Sequence, residues 1–318
     1  MASYIVRRLI WAVFLLLAIT AITFVIFYIL PSADPAAIRA GKNGDAETIA
    51  TIRHQLKLDQ PLTTQFYEYV KALVLHGDFG NSYTNDQAVR TLIFDRLPNT
   101  IYLVLGAAFL WFTGGVLIGT ISAVKRGTML DRFSMGSALL AISAPVYWLG
   151  LVAIYLFASD IGRFPLLPGN GAYGEASGFF GHVHVLIMPW IVLSAAFTAI
   201  YARLVRSNML DVVSEDYVRT ARAKGLPERT VIVRHGLRAA ITPVITVLGL
   251  DIGILMGGAI LTETVFGIPG IGRLSYDAIT RGDLVTIQGT VLFLAFAVTM
   301  MNLLVDILYS VLDPRVRY

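Results

Sequence analysis

Cysteine is absent from the 318 residues, which excludes disulfides, thiolate metal sites and a cysteine nucleophile. The absence leaves the compartment open, because a membrane protein can lack cysteine on either side. Charge is scarce as well. Asp, Glu, Lys and Arg make up 14% of the chain, against roughly 25% in soluble domains. Apolar residues make up 56% and the mean hydropathy is +0.69, so membrane is the first expectation rather than a single soluble core. A Gly-x-x-x-x-Gly-Lys-[Ser/Thr] phosphate loop is also missing, since Gly41-Lys42 lacks the required preceding glycine. The chain is therefore not expected to be an enzyme or to carry a cofactor. The net charge of +4 and pI near 9.3 match nucleic-acid binding by number. The basic residues, however, flank the apolar segments, and no nucleic-acid partner is expected.

What is present is length in the apolar runs. Six stand out, at 9–30, 100–124, 134–158, 185–204, 243–265 and 287–312, each long enough at about 1.5 Å per residue to cross a ~30 Å hydrocarbon layer. The first follows Arg7 and Arg8 and runs on for more than twenty uncharged residues. Secretory signals have apolar regions of about 7–15 residues, so residues 1–30 read as an uncleaved anchor. Backbone groups in hydrocarbon must be satisfied internally, and that dictates helices. Gly114, Gly115 and Gly119, and again Gly249, Gly253, Gly257 and Gly258, have spacings that let helix backbones approach closely. The expected fold is an all-α membrane protein of six transmembrane helices.

Lys and Arg in the short loops set the orientation. One side carries Arg7, Arg8, Lys125, Arg126, Arg132, the basic 203–238 segment, Arg315 and Arg317; the other carries only Arg163, Arg273 and Arg281. Both termini are expected in the cytoplasm. The 31–98 region then lies outside, with the smaller loops 159–184 and 266–286. Ile49, Ile52, Leu56 and Leu58 share a helical face, as do Phe66, Tyr69, Val70 and Leu73, before Gly77-Asp78-Phe79-Gly80 breaks the pattern as a turn. Residues 31–98 are thus a partly helical outer lobe, and 99–318 form a five-helix core with a cytoplasmic loop at 205–240.

That loop is the most informative segment. Asp211, Glu215 and Asp216 suit a helix N-terminus. Small and basic residues follow, and Gly225 with Pro227 ends the helix. A second run over 228–240 brings Arg229, Arg234, His235 and Arg238 back toward the membrane. Two readings fit the pattern: a docking element for a partner, or a basic loop held near anionic lipid.

The form Asp216-Tyr217-Val218-Arg219-Thr220-Ala221-Arg222-Ala223-Lys224-Gly225 resembles the EAA loop of binding-protein-dependent ABC permeases, in its dipeptide/oligopeptide version. Arg219-Thr220 stands where the general motif has Glu-Ala. Three more stretches resemble the same branch: Leu58-Asp59-Gln60-Pro61-Leu62 through Gly77-Asp78-Phe79-Gly80; Leu261-Thr262-Glu263-Thr264-Val265-Phe266 with Pro269-Gly270-Ile271-Gly272; and Asn302-Leu303-Leu304-Val305-Asp306 with Leu312-Asp313-Pro314-Arg315. The resemblance implies the type I ABC importer fold and the first permease of a pair, in a bacterial inner membrane. It implies a second homologous permease, two cytoplasmic ATPase subunits or domains, an extracytoplasmic substrate-binding protein and a peptide substrate. It further implies that the 216–230 region is a coupling helix, with Asp216, Tyr217, Arg219, Thr220, Ala221, Arg222, Ala223, Lys224 and Gly225 as the ATPase-coupling residues. A nickel importer on the same scaffold resembles this branch too, and a secondary transporter is the alternative from another class.

Among intramembrane ionisable residues, Asp251 lies within the fifth run, where a charge is expensive and points to function. It is a candidate for the translocation pathway, meeting a peptide amino terminus, or else pairs within the bundle. Glu263 and Asp306 lie near span ends and are expected to be solvated at the interface; Asn302 reads as interhelical glue. Tyr147, Trp148, Tyr155 and Trp190 suit interface belts or packing. His182-x-His184 would alternate onto one side of an extended segment, but with only Glu175 nearby no metal site is expected.

Overall fold

A computed structural model describes residues 2–29, 34–40, 45–55 and 58–312. The sequence features at Leu30, Leu56 and 313–317 lie outside the described residues. Fourteen helices carry the described fold: α1 Ala2–Phe24, α2 Pro35–Ala40, α3 Ala46–Gln55, α4 Leu62–His76, α5 Val89–Val124, α6 Met129–Ser143, α7 Val146–Phe157, α8 Gly178–Val213, α9 Asp216–Ala223, α10 Glu228–Ala240, α11 Thr242–Met256, α12 Ile260–Phe266, α13 Ile271–Arg281 and α14 Leu284–Leu312. Among the described residues only isolated bridges, Asn81 with Ala88 and Ala158 with Leu167, have strand-like pairing.

Four helical segments are long and apolar enough to span a membrane: Val6–Phe27, Val89–Val124, Gly178–Val213 and Leu284–Ile307. Two bent pairs, α6 with α7 and α10 with α11, bring the number to six when each is one span. The bends correct the expectation of six uninterrupted helices. Between α6 and α7 the chain turns by 100° at Ala144-Pro145. Proline removes a backbone donor and pushes the residue before it out of the helical region, and Ala144 duly has ψ 125. The fifth run, read as 243–265, ends as a helix at Met256. Gly258, at φ +116, then turns the chain across the start of α13, where a Cβ would collide with the Gly272 backbone. Residues 260–266 become the separate helix α12. On the other side, α5 begins at Val89, so residues 89–98 form its first turns with Pro98 inside the helix.

Counting crossings from α1, the α5–α6 turn and the α8–α10 segment lie on the side where α1 begins, called the N-terminal side. The described residues of 34–88 and α12–α13 lie on the opposite, lobe side. Lipid tails are as apolar as leucine, so helices here associate through close packing rather than by leaving water. The packed centre is α5 against α8, with Trp111 and Tyr201 fully buried and Trp111 stacked on Phe197 at 4.7 Å. Gly119 permits the approach: a Cβ there would lie 2.6 Å from the Ala202 carbonyl oxygen. Gly253 does the same for α11 against α14, where a Cβ would lie 2.8 Å from Met301 Cβ. The close-approach reading of both glycine sets therefore holds.

In the lobe, α4 turns Phe66, Tyr69, Val70 and Leu73 inward as its periodicity requires, and Phe66 meets Phe24 of α1 edge-on at 5.2 Å. The expected turn follows, with Gly77 left-handed at φ +58 and the Asp78 carboxylate accepting from Gly80 N at 2.8 Å. Asp283, at the start of α14, accepts from Ser82 Oγ, from Tyr83 N at 3.1 Å and from Thr286 Oγ1 at 2.8 Å. The lobe-side segment after α4 is thereby fastened to the core.

Candidate functional site

The segment following α8 is a short amphipathic helix doubled back on itself. The apolar i, i+3 pair Val218 and Ala221 packs on Val231 of α10 and on Val212 near the end of α8. Two half-turns of sequence thus seat α9 on the membrane helices. Its first turn carries Asp216, paired with Arg219 at 3.2 Å, and Arg219 also donates to the Ser214 carbonyl at 3.1 Å. Thr220 Oγ1 donates back to Asp216 O at 2.9 Å, and the Tyr217 hydroxyl reaches His235 O at 3.4 Å. Gly225, at φ +76, reverses the chain, and Arg222 closes the turn by donating to Glu228 at 2.9 Å. That guanidinium holds the Glu228 carboxyl below the usual carboxylate range.

Of the nine residues singled out in the sequence, eight are exposed on this element. Ala221 is not: it is 6% exposed and faces inward. It packs the helix down on Val231 and Val212 and is not part of the open face. The remaining face, from Asp216 through Arg229, is open and densely charged, with Tyr217 and Leu226 as its large exposed apolar groups.

A buried ion pair supports this element and escaped the sequence reading. Asp131, in the first turn of α6, is 4% exposed. It accepts from Arg206 Nε at 2.8 Å and Nη2 at 2.9 Å, from Gly127 N at 2.9 Å and from Ser122 Oγ. One carboxylate therefore ties together the end of α5, the α5–α6 turn, α6 and α8, two turns before α8 ends at Val213. Thr128-Met129-Leu130-Asp131 is a capping-box pattern, with Thr128 Oγ1 accepting from Asp131 N at 3.4 Å. That much was visible in the sequence. Arg206, 75 residues on, was not.

Asp251 lies on α11 and accepts a hydrogen bond from the buried Tyr201 hydroxyl at 2.7 Å. In α11, Thr242–Met256, it sits toward the lobe-side end. On the lobe side, Glu263 is fully buried, which overturns the expectation of interfacial solvation. It accepts from Thr100 Oγ1 at 2.8 Å and Arg273 N at 2.9 Å, while Thr100 Oγ1 accepts from Ile271 N at 2.9 Å. Its carboxylate caps the first turn of α13, where free N–H groups favour negative charge. Next to it, Asn99 donates to Pro269 O at 2.8 Å and accepts from Tyr173 Oη at 2.9 Å. Asp306 pairs with Arg8 at 3.2 Å, joining α14 to α1 near the N-terminal side.

His182 and His184 both fall on α8. Residues two apart on a helix diverge by about 200°, so they do not share one side as an extended segment would place them. Among the described residues no group of His, Cys, Asp and Glu is arranged to hold a metal. Of the aromatics, Tyr147, Trp148 and Tyr155 are exposed on α7, whereas Trp190 packs inward and donates to Tyr102 O at 2.9 Å.

A bundle of up to six spans, with bent third and fifth members and a charged helical turn hung from one side, is the design of a transport permease. Residues 115–318 match the family of binding-protein-dependent transport system inner membrane components, and residues 1–104 match the N-terminal region of the same membrane components. The chain belongs to this family: it is a multi-pass inner-membrane permease subunit of an ABC importer. It is 39% identical over 318 residues, covering all of both chains, to the glutathione transport system permease protein of Salmonella typhimurium strain LT2. The putative peptide transport system permease protein of Brucella abortus strain 2308 is also 39% identical over the full length of both chains.

Proposed function

We propose that this chain conducts short peptides delivered by an extracytoplasmic binding protein, as one of two homologous permeases driven by two cytoplasmic ATPase subunits or domains. The N-terminal side is cytoplasmic in this reading, which the Lys and Arg excess there supports. The peptide class is supported by relatives that are named for glutathione and peptide transport. Nucleotide is bound by the partners, and this chain carries no cofactor. The observation that carries the reading is the geometry of α9: apolar on the membrane-domain face, charged and open on the other. A helix seated in this way moves as a rigid body with α8 and α10. ATPase closure can then switch the bundle between discrete packings rather than bend it.

Reversing two charges tests this. Arg222→Glu with Lys224→Glu is expected to lower ATPase recovery on purified permease at least roughly tenfold, since losing a buried interfacial charge contact costs about 2–5 kcal/mol. Membrane levels of the permease should not change, because both residues are solvent-exposed and the Arg222–Glu228 surface pair that is lost contributes little, being screened by solvent. Full ATPase recovery with normal peptide uptake would remove α9 from the coupling role.

Asp251 is proposed to meet the amino terminus of the passing peptide, with Tyr201 orienting its carboxylate. Asp251→Asn keeps the shape and the Tyr201 hydrogen bond but removes the charge. Uptake of peptides with a free amino terminus should fall roughly tenfold relative to N-acetylated ones, the scale of one charge-assisted contact. An unaltered preference between the two sets would retire the pathway role.

A further inference from the structure

An apolar hollow lies between α1, the C-terminal end of α4, the start of α5 and α14, with a volume of about 590 Å³. Its walls come from Leu16 and Leu17 of α1, Leu73 and Val74 of α4, and Leu292 and Phe296 of α14. Val74 is 68% exposed, so apolar surface is presented there without a protein neighbour. Its α1, α5 and α14 walls belong to helical segments long and apolar enough to span a membrane.

The hollow has direction. Its lobe-side end is formed by His76, Gly77 and Arg90, at the close of α4 and the first turn of α5. Its other end reaches Val13 and Phe296. On α1 the lining runs from Val13 to Thr20, seven residues or about 10 Å along the helix. One leaflet of a ~30 Å hydrocarbon core is about 15 Å deep, so the hollow takes roughly two-thirds of one acyl chain's depth.

Arg90 supplies the polar end. It donates from Nη1 to the His76 carbonyl at 3.2 Å and rests over the Phe94 ring at 5.9 Å. These contacts fix the plane of the guanidinium while leaving most of its five donors open. No ion pair involves Arg90 among the described residues. A planar guanidinium with free paired donors matches a phosphate bidentately.

We propose that this groove holds one phospholipid of the lobe-side leaflet, its phosphate on Arg90 and one acyl chain along α1 and α14. The lipid fills the wedge that α4 and α1 leave open and fastens the anchor helix and the lobe to the core.

Native mass spectrometry of the assembled transporter tests the proposal, with release from nanodiscs of mixed phosphatidylethanolamine and phosphatidylglycerol. The wild-type complex is expected to keep one phospholipid adduct after annular lipid is stripped. Arg90→Gln should lower its retention roughly tenfold, the scale of losing a charge-assisted contact. Leu292→Trp, which fills the apolar body, should lower it similarly. Arg163→Gln, exposed on the same side, should leave it intact. Should Leu292→Trp not assemble, Arg90→Gln alone decides, because its side chain is at the surface. Equal retention in Arg90→Gln and wild type would overturn the phosphate assignment. A lipid kept by the isolated chain but absent from the assembled transporter would assign the groove to the partner permease and overturn the proposal.

Discussion

Asp131→Ala is expected to destabilise the permease by about 3 kcal/mol, the lower end of the 3–5 kcal/mol that follows removal of one partner from a buried ion pair. The lower end applies because Arg206 keeps 25% of its side chain exposed and can recover some hydration. The rest of the loss is local. Gly127 N and Ser122 Oγ lose their acceptor together with the guanidinium. A melting series of the purified chain in detergent measures the effect. The double-mutant cycle with Arg206→Leu separates the pair from the stranded charge, because the double variant should be more stable than Asp131→Ala alone. A change within about 0.5 kcal/mol for Asp131→Ala, the size of an ordinary surface substitution, would refute the structural role. Uptake should fall as well, since α8 ends two turns beyond Arg206 and leads into α9.

Glu263→Ala is expected to act at the opposite face and by a similar amount. Two donors converge on this fully buried carboxylate: Thr100 Oγ1 and Arg273 N. Each buried group left unsatisfied costs about 1–3 kcal/mol, so a loss of at least about 2 kcal/mol follows. Glu263→Gln retains an acceptor and the volume and should cost less. Hydrogen exchange over 259–281 reads the result directly, because the N-terminal amides of α13 lose their cap. Protection equal to wild type in Glu263→Ala would mean that the carboxylate is not what holds α12 against α13. The cysteine-free chain also allows a single engineered cysteine pair across α5 and α13 to report the same opening.

The two carboxylates differ in how visible they were. Glu263 belonged to a recognised motif, yet its position near the end of an apolar run pointed to water, and the structure buries it completely. The partner that makes burial tolerable, Thr100, is 163 residues away. Asp131 had a local signature in the Thr128 cap but none for Arg206. In the 216–230 region the helix, the glycine reversal and the charged surface could all be read from the sequence. That Ala221 points inward could not, because its outward or inward sense depends on where Val231 returns.

What the amino-acid sequence determined was whatever depends on distance along the chain. Apolar length and the placement of Lys and Arg fixed the spans, since transfer into hydrocarbon is additive over residues in one helix. Glycine spacing marked the close-approach faces of α5 and α11. Tertiary structure decided the 100° turn at Ala144-Pro145, the separation of α12 from α11, the pairing of Asp131 with Arg206 and the capture of Glu263 by Thr100. Each of these is an agreement between segments far apart in sequence. Its energy comes from hydrogen bonds and close packing that exist only once both segments are in place.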